Sequence, residues 1–214
     1  MKKEYLLFDL DGTLTDPKEG ITKSVQYALN AFGIEVRDLD ELCCFIGPPL
    51  KDSFIEYYGF SEEDANKAIL IYREYFSTRG LYENVAFDGT KEVLKSLQQR
   101  GKKLYVASSK PEVFVKKILR HFDLDSFFVF MGGSDLAEKR AKKADVIRYV
   151  LNENHITDLD QVVMIGDRKH DVLGAKEVGI DSIGVLYGYG SVEELTAAGA
   201  DVLAETIFDL QNLL

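Results

Sequence analysis

Two aspartates, Asp9 and Asp11, directly follow a short apolar run, and their position suits them to chemistry. The run Tyr5–Phe8 is hydrophobic throughout and ends abruptly in acid and glycine, which predicts a buried strand. Carboxylates two positions apart at the carboxyl end of such a strand can point into one crevice, where α/β sheets bind ligands. Gly12 lets the backbone turn, and Thr13 offers a hydroxyl and an amide to an anion. An ordinary polar turn is the alternative interpretation.

The stretch Phe8–Asp16, with the sequence FDLDGTLTD, resembles the nucleophile motif of the haloacid dehalogenase (HAD) superfamily. The resemblance implies a magnesium-dependent phosphatase, the most common kind of member. A phosphate dianion about 4 Å from an aspartate meets roughly 4 kcal/mol of repulsion per charge pair at an effective dielectric constant near 20, or about three decades in rate. The rest of the chain must therefore supply cations and backbone amides.

A second candidate motif follows the apolar strand predicted over Leu104–Ala107. Ser108 at the strand end, before a turn into a helix with Pro111 as its second residue, can hold a phosphate oxygen by side chain and amide. Ser109 and Lys110 beside it are further substrate-binding candidates. A helix N-cap explains the same residues. The segment matches the second HAD motif in kind and order, which favours the functional interpretation.

A catalytic lysine is expected in the basic segment Glu138–Asp145. Lys143 is the first choice, because it directly precedes an amphipathic helix, as in the third HAD motif. Many HAD relatives have proline after this lysine, whereas alanine follows here, so Lys139 and Lys142 stay open as alternatives. Arg140 is a candidate to assist. Most charge runs are solvated faces, and most of these lysines are expected to be so.

A third strand, Val162–Ile165, ends in glycine and Asp167, with Asp171 four residues further on. Asp167 at the strand tip can reach a metal held by Asp9, and Asp171 on the first helical turn can orient the lysine or a metal-bound water. The predicted ligands are hard oxygens, and the sequence has no histidine or cysteine cluster for zinc. The predicted cofactor is therefore Mg²⁺.

Four motifs in the HAD order cover the whole chain, and the family implies a role for each. Asp9 is the nucleophile that forms an aspartyl-phosphate, while Asp11 protonates the leaving alkoxide and then deprotonates water. Thr13, Ser108 and Lys143 hold phosphoryl oxygens, and the Asp11 backbone carbonyl binds Mg²⁺ with two carboxylates. The complete set of predicted metal-site residues is Asp9, Asp11, Asp167 and Asp171. The predicted substrate-binding residues are Gly12, Thr13, Ser108, Ser109, Lys110 and Lys143.

The composition of the chain limits the kinds of molecule that it is expected to bind. The 214 residues carry a net charge of −10, which excludes a polynucleotide surface and leaves room for a small anion in a local cationic pocket. Four apolar residues before Asp9 are too few for a signal peptide or membrane span. The neighbouring Cys43 and Cys44 make a poor crosslink, which predicts buried, reduced thiols and a cytoplasmic protein. Monomer and homodimer both stay open.

The order of predicted elements indicates an α/β fold. Strands alternate with helices from Val85 onwards, which predicts a doubly wound parallel sheet, a Rossmann-like HAD core of residues 1–16 and 83–214. Residues 17–82 show helical spacing only and predict an inserted, small, all-helical domain similar to the HAD C1 cap, a lid over the site. Such a lid favours a small, soluble phosphomonoester as substrate.

The branch of the family and the substrate stay open. The loop Ile46–Leu50 resembles that of phosphoglycolate phosphatase-like members, including 5′-nucleotidases, although a structural turn explains it nearly as well. A phosphosugar mutase resembling β-phosphoglucomutase and a non-catalytic binding protein are the alternatives. A dehalogenase would have no use for Asp11, and nothing singles out Lys23 or Lys51 as a phosphonatase lysine. Four tyrosines either pack or stack on a base: Tyr57, Tyr58, Tyr72 and Tyr75.

Overall fold

The computed structural model describes residues 1–136, 140 and 142–214. The chain forms two compact units. Unit 1 contains Met1–Asp16 and Ala86–Leu214, and unit 2 contains Pro17–Val85. Lys139, one of the three candidate lysines, lies outside the described residues.

Unit 1 is built on a six-stranded parallel sheet with the strand order β5-β4-β1-β6-β7-β8. Its strands are β1 (Tyr5–Phe8), β4 (Lys103–Pro111), β5 (Phe128–Ser134), β6 (Val162–Gly166), β7 (Asp181–Val185) and β8 (Val202–Ala204). The chain winds outward from β1 in one direction and then from β6 in the other. This order places a topological switch point between β1 and β6, where doubly wound sheets bind ligands.

Helices flank this sheet, as its parallel connections require. They are α4 (Thr90–Gln99), α5 (Glu112–His121), α6 (Lys143–Glu153), α7 (Lys169–Val178), α8 (Val192–Ala198) and α9 (Leu210–Leu213). Leu7, Met164 and Ile147 belong to one buried apolar cluster that joins the two central strands to α6. Each such buried side chain contributes about 1.5–3 kcal/mol of transfer free energy. The predicted doubly wound α/β fold is confirmed.

The end of β4 differs from the sequence prediction. The strand was expected over Leu104–Ala107, but it runs on to Pro111, and α5 begins at Glu112. Pro111 therefore stands before the helix instead of inside it. The extra length pairs with β5 after a register shift, with Pro111 opposite Ser134.

Between Lys18 and Gly80, unit 2 is a series of helical elements joined by short connections. Its elements are α1 (Lys18–Ala31), a 3₁₀ helix (Leu39–Phe45), α2 (Leu50–Tyr58), α3 (Glu62–Tyr75) and a π-helical turn (Phe76–Gly80). A Cβ on Gly20 would lie 1.9 Å from the Gly80 carbonyl oxygen, so only glycine lets α1 lie this close to the π-helical turn. Two short strands, β2 (Thr15–Asp16) and β3 (Val85–Ala86), stand where the chain leaves and re-enters unit 1. None of the helices in the described part of the chain has the length and apolar character to cross a membrane.

Aromatic packing inside unit 2 accounts for most of the four tyrosines. The Phe45 ring contacts the rings of Tyr57 and Tyr58, at centroid distances of 5.9 Å each. Tyr72 is buried and stacks on Phe76 with centroids 5.3 Å apart. Tyr57 keeps an exposed fraction of 45%. The two cysteines, predicted to be buried, are half-buried.

Candidate active site

A buried lysine joins the two sides of the switch point. Lys143 is the first residue of α6, and its Nζ lies 2.9 Å from Asp9 Oδ1 and 2.7 Å from Asp171 Oδ1. The ammonium also donates a hydrogen bond of 3.0 Å to the Ala107 carbonyl in the middle of β4. Lys142, in contrast, is exposed at the N-cap of the same helix. Of the candidate lysines that the structure describes, Lys143 is therefore the one beside Asp9.

The electrostatics of this cluster keep the lysine charged. Burial opposes the ammonium, but the carboxylates of Asp171 and Asp9 outweigh it and raise the pKa of Lys143. Burial also raises the pKa of Asp171, to about 6, although the Lys143 ammonium pulls it down. Lys143 and Asp171 therefore stabilise each other in their charged forms near neutral pH.

Three carboxylates converge close to that lysine. Asp9, Asp167 and Asp171 each offer an oxygen within 4.8 Å of the others, and all three side chains are buried. Burial, followed by repulsion from Asp171 and Asp9, raises the pKa of Asp167 well above its usual range. When all three buried acids are ionised, the one lysine beside them leaves an excess of negative charge. The donor set fits a small, hard divalent cation, because all its ligand atoms are carboxylate oxygens.

Asp9 and Asp167 directly follow two neighbouring strands of the sheet. The Asp9 amide donates to the Ile165 carbonyl at 2.8 Å, which continues the β1–β6 pairing past the last residue of β1. Asp167 directly follows β6. The two acids thus lie at the carboxyl ends of adjacent parallel strands, as the sequence motifs indicated.

Asp11 has a partner of its own instead of joining the three-acid cluster. Its Oδ2 forms an ion pair of 2.7 Å with Lys110 Nζ, and both side chains are nearly inaccessible to solvent. Its Oδ1 is buried and, among the described residues, has no hydrogen-bond partner. Burial raises the pKa of Asp11, while Lys110 opposes that rise. Lys110, predicted to bind substrate, therefore contacts the predicted acid–base residue directly.

The loop after Asp9 packs tightly against Asp167. Gly12 has a φ of 79°, and a Cβ there would lie 2.1 Å from Asp167 Oδ2, so the position requires glycine. The Thr13 hydroxyl lies 3.5 Å from Asp167 Oδ1, at the outer limit of a hydrogen bond. The Thr13 amide, predicted to face an anion, donates to the Leu10 carbonyl at 3.3 Å instead. The tight turn thus uses this amide internally, and the Thr13 hydroxyl stays the predicted contact to an anion.

The serines lie in the second half of β4, directly after Ala107, whose carbonyl Lys143 contacts. Ser108 is buried, and its hydroxyl accepts a hydrogen bond of 3.3 Å from the Lys110 amide. Ser109 is half-buried beside it. The structure thus brings Ser108 and Lys110 to the same sheet edge as Asp9 and Asp11.

This arrangement has close counterparts among known proteins. Residues 6–185 match the model of the haloacid dehalogenase-like hydrolase family. The chain belongs to this family. It is 52% identical over 192 residues to a protein of Pseudomonas aeruginosa named 5′-nucleotidase, covering 90% of this chain and 86% of that protein. A solved structure, titled a predicted phosphatase from Clostridium acetobutylicum, superposes with a TM-score of 0.97 at 51% identity and covers 100% of this chain and 98% of its own.

Other relatives of this HAD hydrolase carry different names. A Mycobacterium tuberculosis protein named tyrosine-protein kinase PtkA is 37% identical, over 99% of this chain and 72% of its own length. A Colwellia psychrerythraea protein named phosphoglycolate phosphatase is 31% identical, over 98% of this chain and 96% of its own. The family and the phosphatase relatives confirm the predicted enzyme class, a HAD-type phosphoric monoester hydrolase.

Sequence reasoning missed one segment of the HAD site, the turn Tyr187–Gly190 after β7. The Tyr189 amide donates to Asp167 Oδ2 at 2.8 Å, and the Tyr187 hydroxyl donates to the Thr13 carbonyl at 3.0 Å. The available signal was two tyrosines alternating with two glycines directly after an apolar strand. The segment has no acid, lysine or serine, the residue types of the four motifs, so a search for those motifs passed over it.

Arg140, which was predicted to assist the catalytic lysine, contacts residues of β5, α5 and α6. Its Nε donates to the Gly133 carbonyl at 3.0 Å, and its guanidinium lies 3.5 Å from the centre of the Tyr149 ring. One of its terminal nitrogens lies 3.9 Å from a Glu112 carboxylate oxygen. These contacts tie β5, α5 and α6 together just ahead of Lys143.

Proposed function

We propose that this HAD hydrolase is a magnesium-dependent phosphatase of small phosphomonoesters and acts through an aspartyl-phosphate on Asp9. The observation that carries the proposal is the Lys143 ammonium, which lies within 3 Å of both Asp9 and Asp171. It supplies the positive charge that a dianionic phosphate needs near a carboxylate nucleophile. The ammonium lies at the carboxylate where the repulsion described above, about 4 kcal/mol per charge pair at 4 Å, would otherwise arise.

The proposed reaction uses two aspartates in two steps. An Asp9 oxygen attacks phosphorus, and the bond from phosphorus to the ester oxygen breaks. Asp11 gives its proton to the departing alkoxide, so that the alcohol leaves neutral. Asp11 then takes a proton from water, which attacks the phosphoryl group, regenerates Asp9 and releases inorganic phosphate. The buried Oδ1 of Asp11 and its raised pKa suit the acid role in the first step.

Asp9 and Asp167, with the Asp11 carbonyl, would hold Mg²⁺, and Asp171 would support them. The bound cation would neutralise part of the charge on the carboxylates and the phosphoryl oxygens. Lys143, Ser108 and Thr13 would contact those oxygens from the protein side.

The substrate class follows from similarity to named relatives and stays a proposal. A nucleoside 5′-monophosphate is favoured by the relative named 5′-nucleotidase, and a phosphoglycolate-like compound by the more distant ones. We retain the predicted division of labour, with residues 1–16 and 83–214 as catalytic core and residues 17–82 as a cap. A cytoplasmic location remains part of the proposal.

The relative named tyrosine-protein kinase gives a second candidate, phosphoryl transfer to a protein tyrosine. It shares 37% identity, against 52% for the relative named 5′-nucleotidase. The nucleotidase assignment therefore ranks first.

The test is phosphate release from nucleoside monophosphates, phosphoglycolate, sugar phosphates and pyrophosphate, with Mg²⁺ or with a chelator. The parent is compared with Asp9→Asn and with Asp123→Asn, a matched change at an exposed aspartate whose φ of 55° asparagine accepts. We expect Mg²⁺-dependent release from the parent and from Asp123→Asn, and none from Asp9→Asn.

Two further measurements separate the alternatives. Return of the phosphoryl group to another hydroxyl of a sugar, seen by ³¹P NMR, would indicate a mutase. Labelled phosphotyrosine formed from ATP, without release of phosphate from the panel, would favour the kinase. Unchanged release by Asp9→Asn would contradict the proposed mechanism.

A further inference from the structure

The turn Tyr187–Gly190 lies beside the metal-site carboxylate because of strand order. Strand β7 pairs in parallel with β6, with Gly184 opposite Gly166. Asp167 directly follows Gly166, so the turn after β7 begins on the same edge of the sheet. No motif of the sequence marks this turn as functional.

Backbone groups of the turn contact Asp167 from one side. The Tyr189 amide donates to Asp167 Oδ2 at 2.8 Å. A Cβ on Gly190 would lie 2.0 Å from the Asp167 carbonyl oxygen, and one on Gly188 would lie 2.4 Å from Asp167 Cβ. The two glycines do not have a positive φ, so alanine could adopt their backbone conformation. Only the space taken by Asp167 and its neighbours excludes a side chain.

The same turn contacts the loop that follows Asp9. A Cβ on Gly188 would lie 2.3 Å from the Gly12 carbonyl oxygen. The Tyr187 hydroxyl donates to the Thr13 carbonyl at 3.0 Å, and its ring packs edge-on against Phe87 at 5.2 Å. The turn therefore lies against both Asp167 and the loop Gly12–Thr13.

We propose that Tyr187, Gly188 and Gly190 are positioning residues, which hold Asp167 and the loop Gly12–Thr13 in one fixed arrangement for cation and phosphate. Three acidic side chains crowd this edge, and their repulsion favours rotation of Asp167 away from the others. The Tyr189 amide and the close glycine backbone oppose that rotation. The inference rests on the proposed function, because it assigns these residues to the same site.

Two variants test separately how the turn holds Asp167 and how it holds the loop Gly12–Thr13. Gly188→Ala introduces a Cβ against Asp167 and Gly12, and we expect Mg²⁺ affinity to fall about tenfold or more, as for other groups that orient metal ligands. Tyr187→Phe removes only the hydroxyl that holds the Thr13 carbonyl. We expect it to raise KM severalfold while the Mg²⁺ affinity stays within about twofold of the parent.

The control is Gly101→Ala, in the turn before β4. Its φ of 80° strains an alanine, but nothing lies within 4 Å of the added Cβ. It lowers stability without touching the site, so it reports what a general loss of stability does to binding. Mg²⁺ affinity is measured by titration calorimetry without substrate. The values of kcat and KM are measured with the best substrate of the panel.

The outcomes distinguish this inference from the proposed function. Weakened Mg²⁺ binding in Gly188→Ala alone, with a raised KM in Tyr187→Phe, would support the positioning role. Parent-like Mg²⁺ affinity and kcat in Gly188→Ala, or equal losses in Gly101→Ala, would overturn it. A parent that neither binds Mg²⁺ nor releases phosphate would refute the proposed function instead.

Discussion

Replacement of Lys143 by methionine tests the central electrostatic contact of the site. Methionine keeps the length of the side chain but removes the ammonium, which lies 2.9 Å from Asp9 Oδ1 and 2.7 Å from Asp171 Oδ1. At an effective dielectric constant of about 20, each contact is an attraction of roughly 6 kcal/mol before the cost of burying the charges. Loss of one partner of a buried ion pair costs about 3–5 kcal/mol net, and we expect unfolding free energy to fall by that amount.

Activity should fall further than stability alone explains. The variant would lack the charge that offsets about 4 kcal/mol of repulsion between Asp9 and an incoming phosphate, which predicts a loss of about three decades in kcat. Lys142→Met, an equal change at the exposed neighbour, should leave both quantities near the parent values.

The pH dependence gives the sharper test. The pKa of Asp171 is already raised to about 6, and without the lysine it rises further. A carboxyl with a raised pKa in the folded state stabilises the fold below its unfolded pKa, and that contribution is lost as pH rises through the folded pKa. The stability deficit of Lys143→Met should therefore be larger at pH 8 than at pH 5.

The assay is urea unfolding of parent, Lys143→Met and Lys142→Met in chelator at pH 5 and pH 8, with kcat measured in Mg²⁺. A deficit that is equal at both pH values, together with a kcat within threefold of the parent, would refute the reasoning.

Three further predictions concern the metal site, the phosphate site and the packing of β1. Mg²⁺ should raise the melting temperature more at pH 8 than at pH 5, because the raised pKa values of Asp167 and Asp171 make protons compete with the cation; differential scanning fluorimetry that shows equal shifts would contradict this. Ser108→Ala should lower kcat/KM by about tenfold, the value of one hydrogen bond to a charged oxygen, with stability changed by less than about 1 kcal/mol; unchanged kinetics would remove Ser108 from the phosphate site. Leu7→Ala, at a fully buried position of β1, the strand that Asp9 follows, should cost about 2–5 kcal/mol in denaturant unfolding, and a cost below about 1 kcal/mol would contradict the close packing of β1.

The local sequence pattern was enough to predict the strands and the acids that follow their carboxyl ends. The apolar runs at Tyr5–Phe8 and Val162–Ile165 form strands because their hydrophobic residues are buried on both faces of the sheet. The carboxyl ends of parallel strands share one edge, so Asp9 and Asp167 were expected at the same edge, and the pairing of β1 with β6 makes them neighbours. The end of β4 was misjudged, because its last residues are extended only through pairing with β5.

The sequence by itself determined the family, the parallel sheet and the set of acids, because all three depend on residue types at short spacing. Which lysine faces Asp9 was decided by the tertiary structure, since Lys143 gains its partners from β1, β4 and α7, far apart along the chain. The Asp11–Lys110 ion pair and the contacts of the turn Tyr187–Gly190 were also decided by the tertiary structure. Their geometry depends on how close separate segments come, and local periodicity carries no information about that distance.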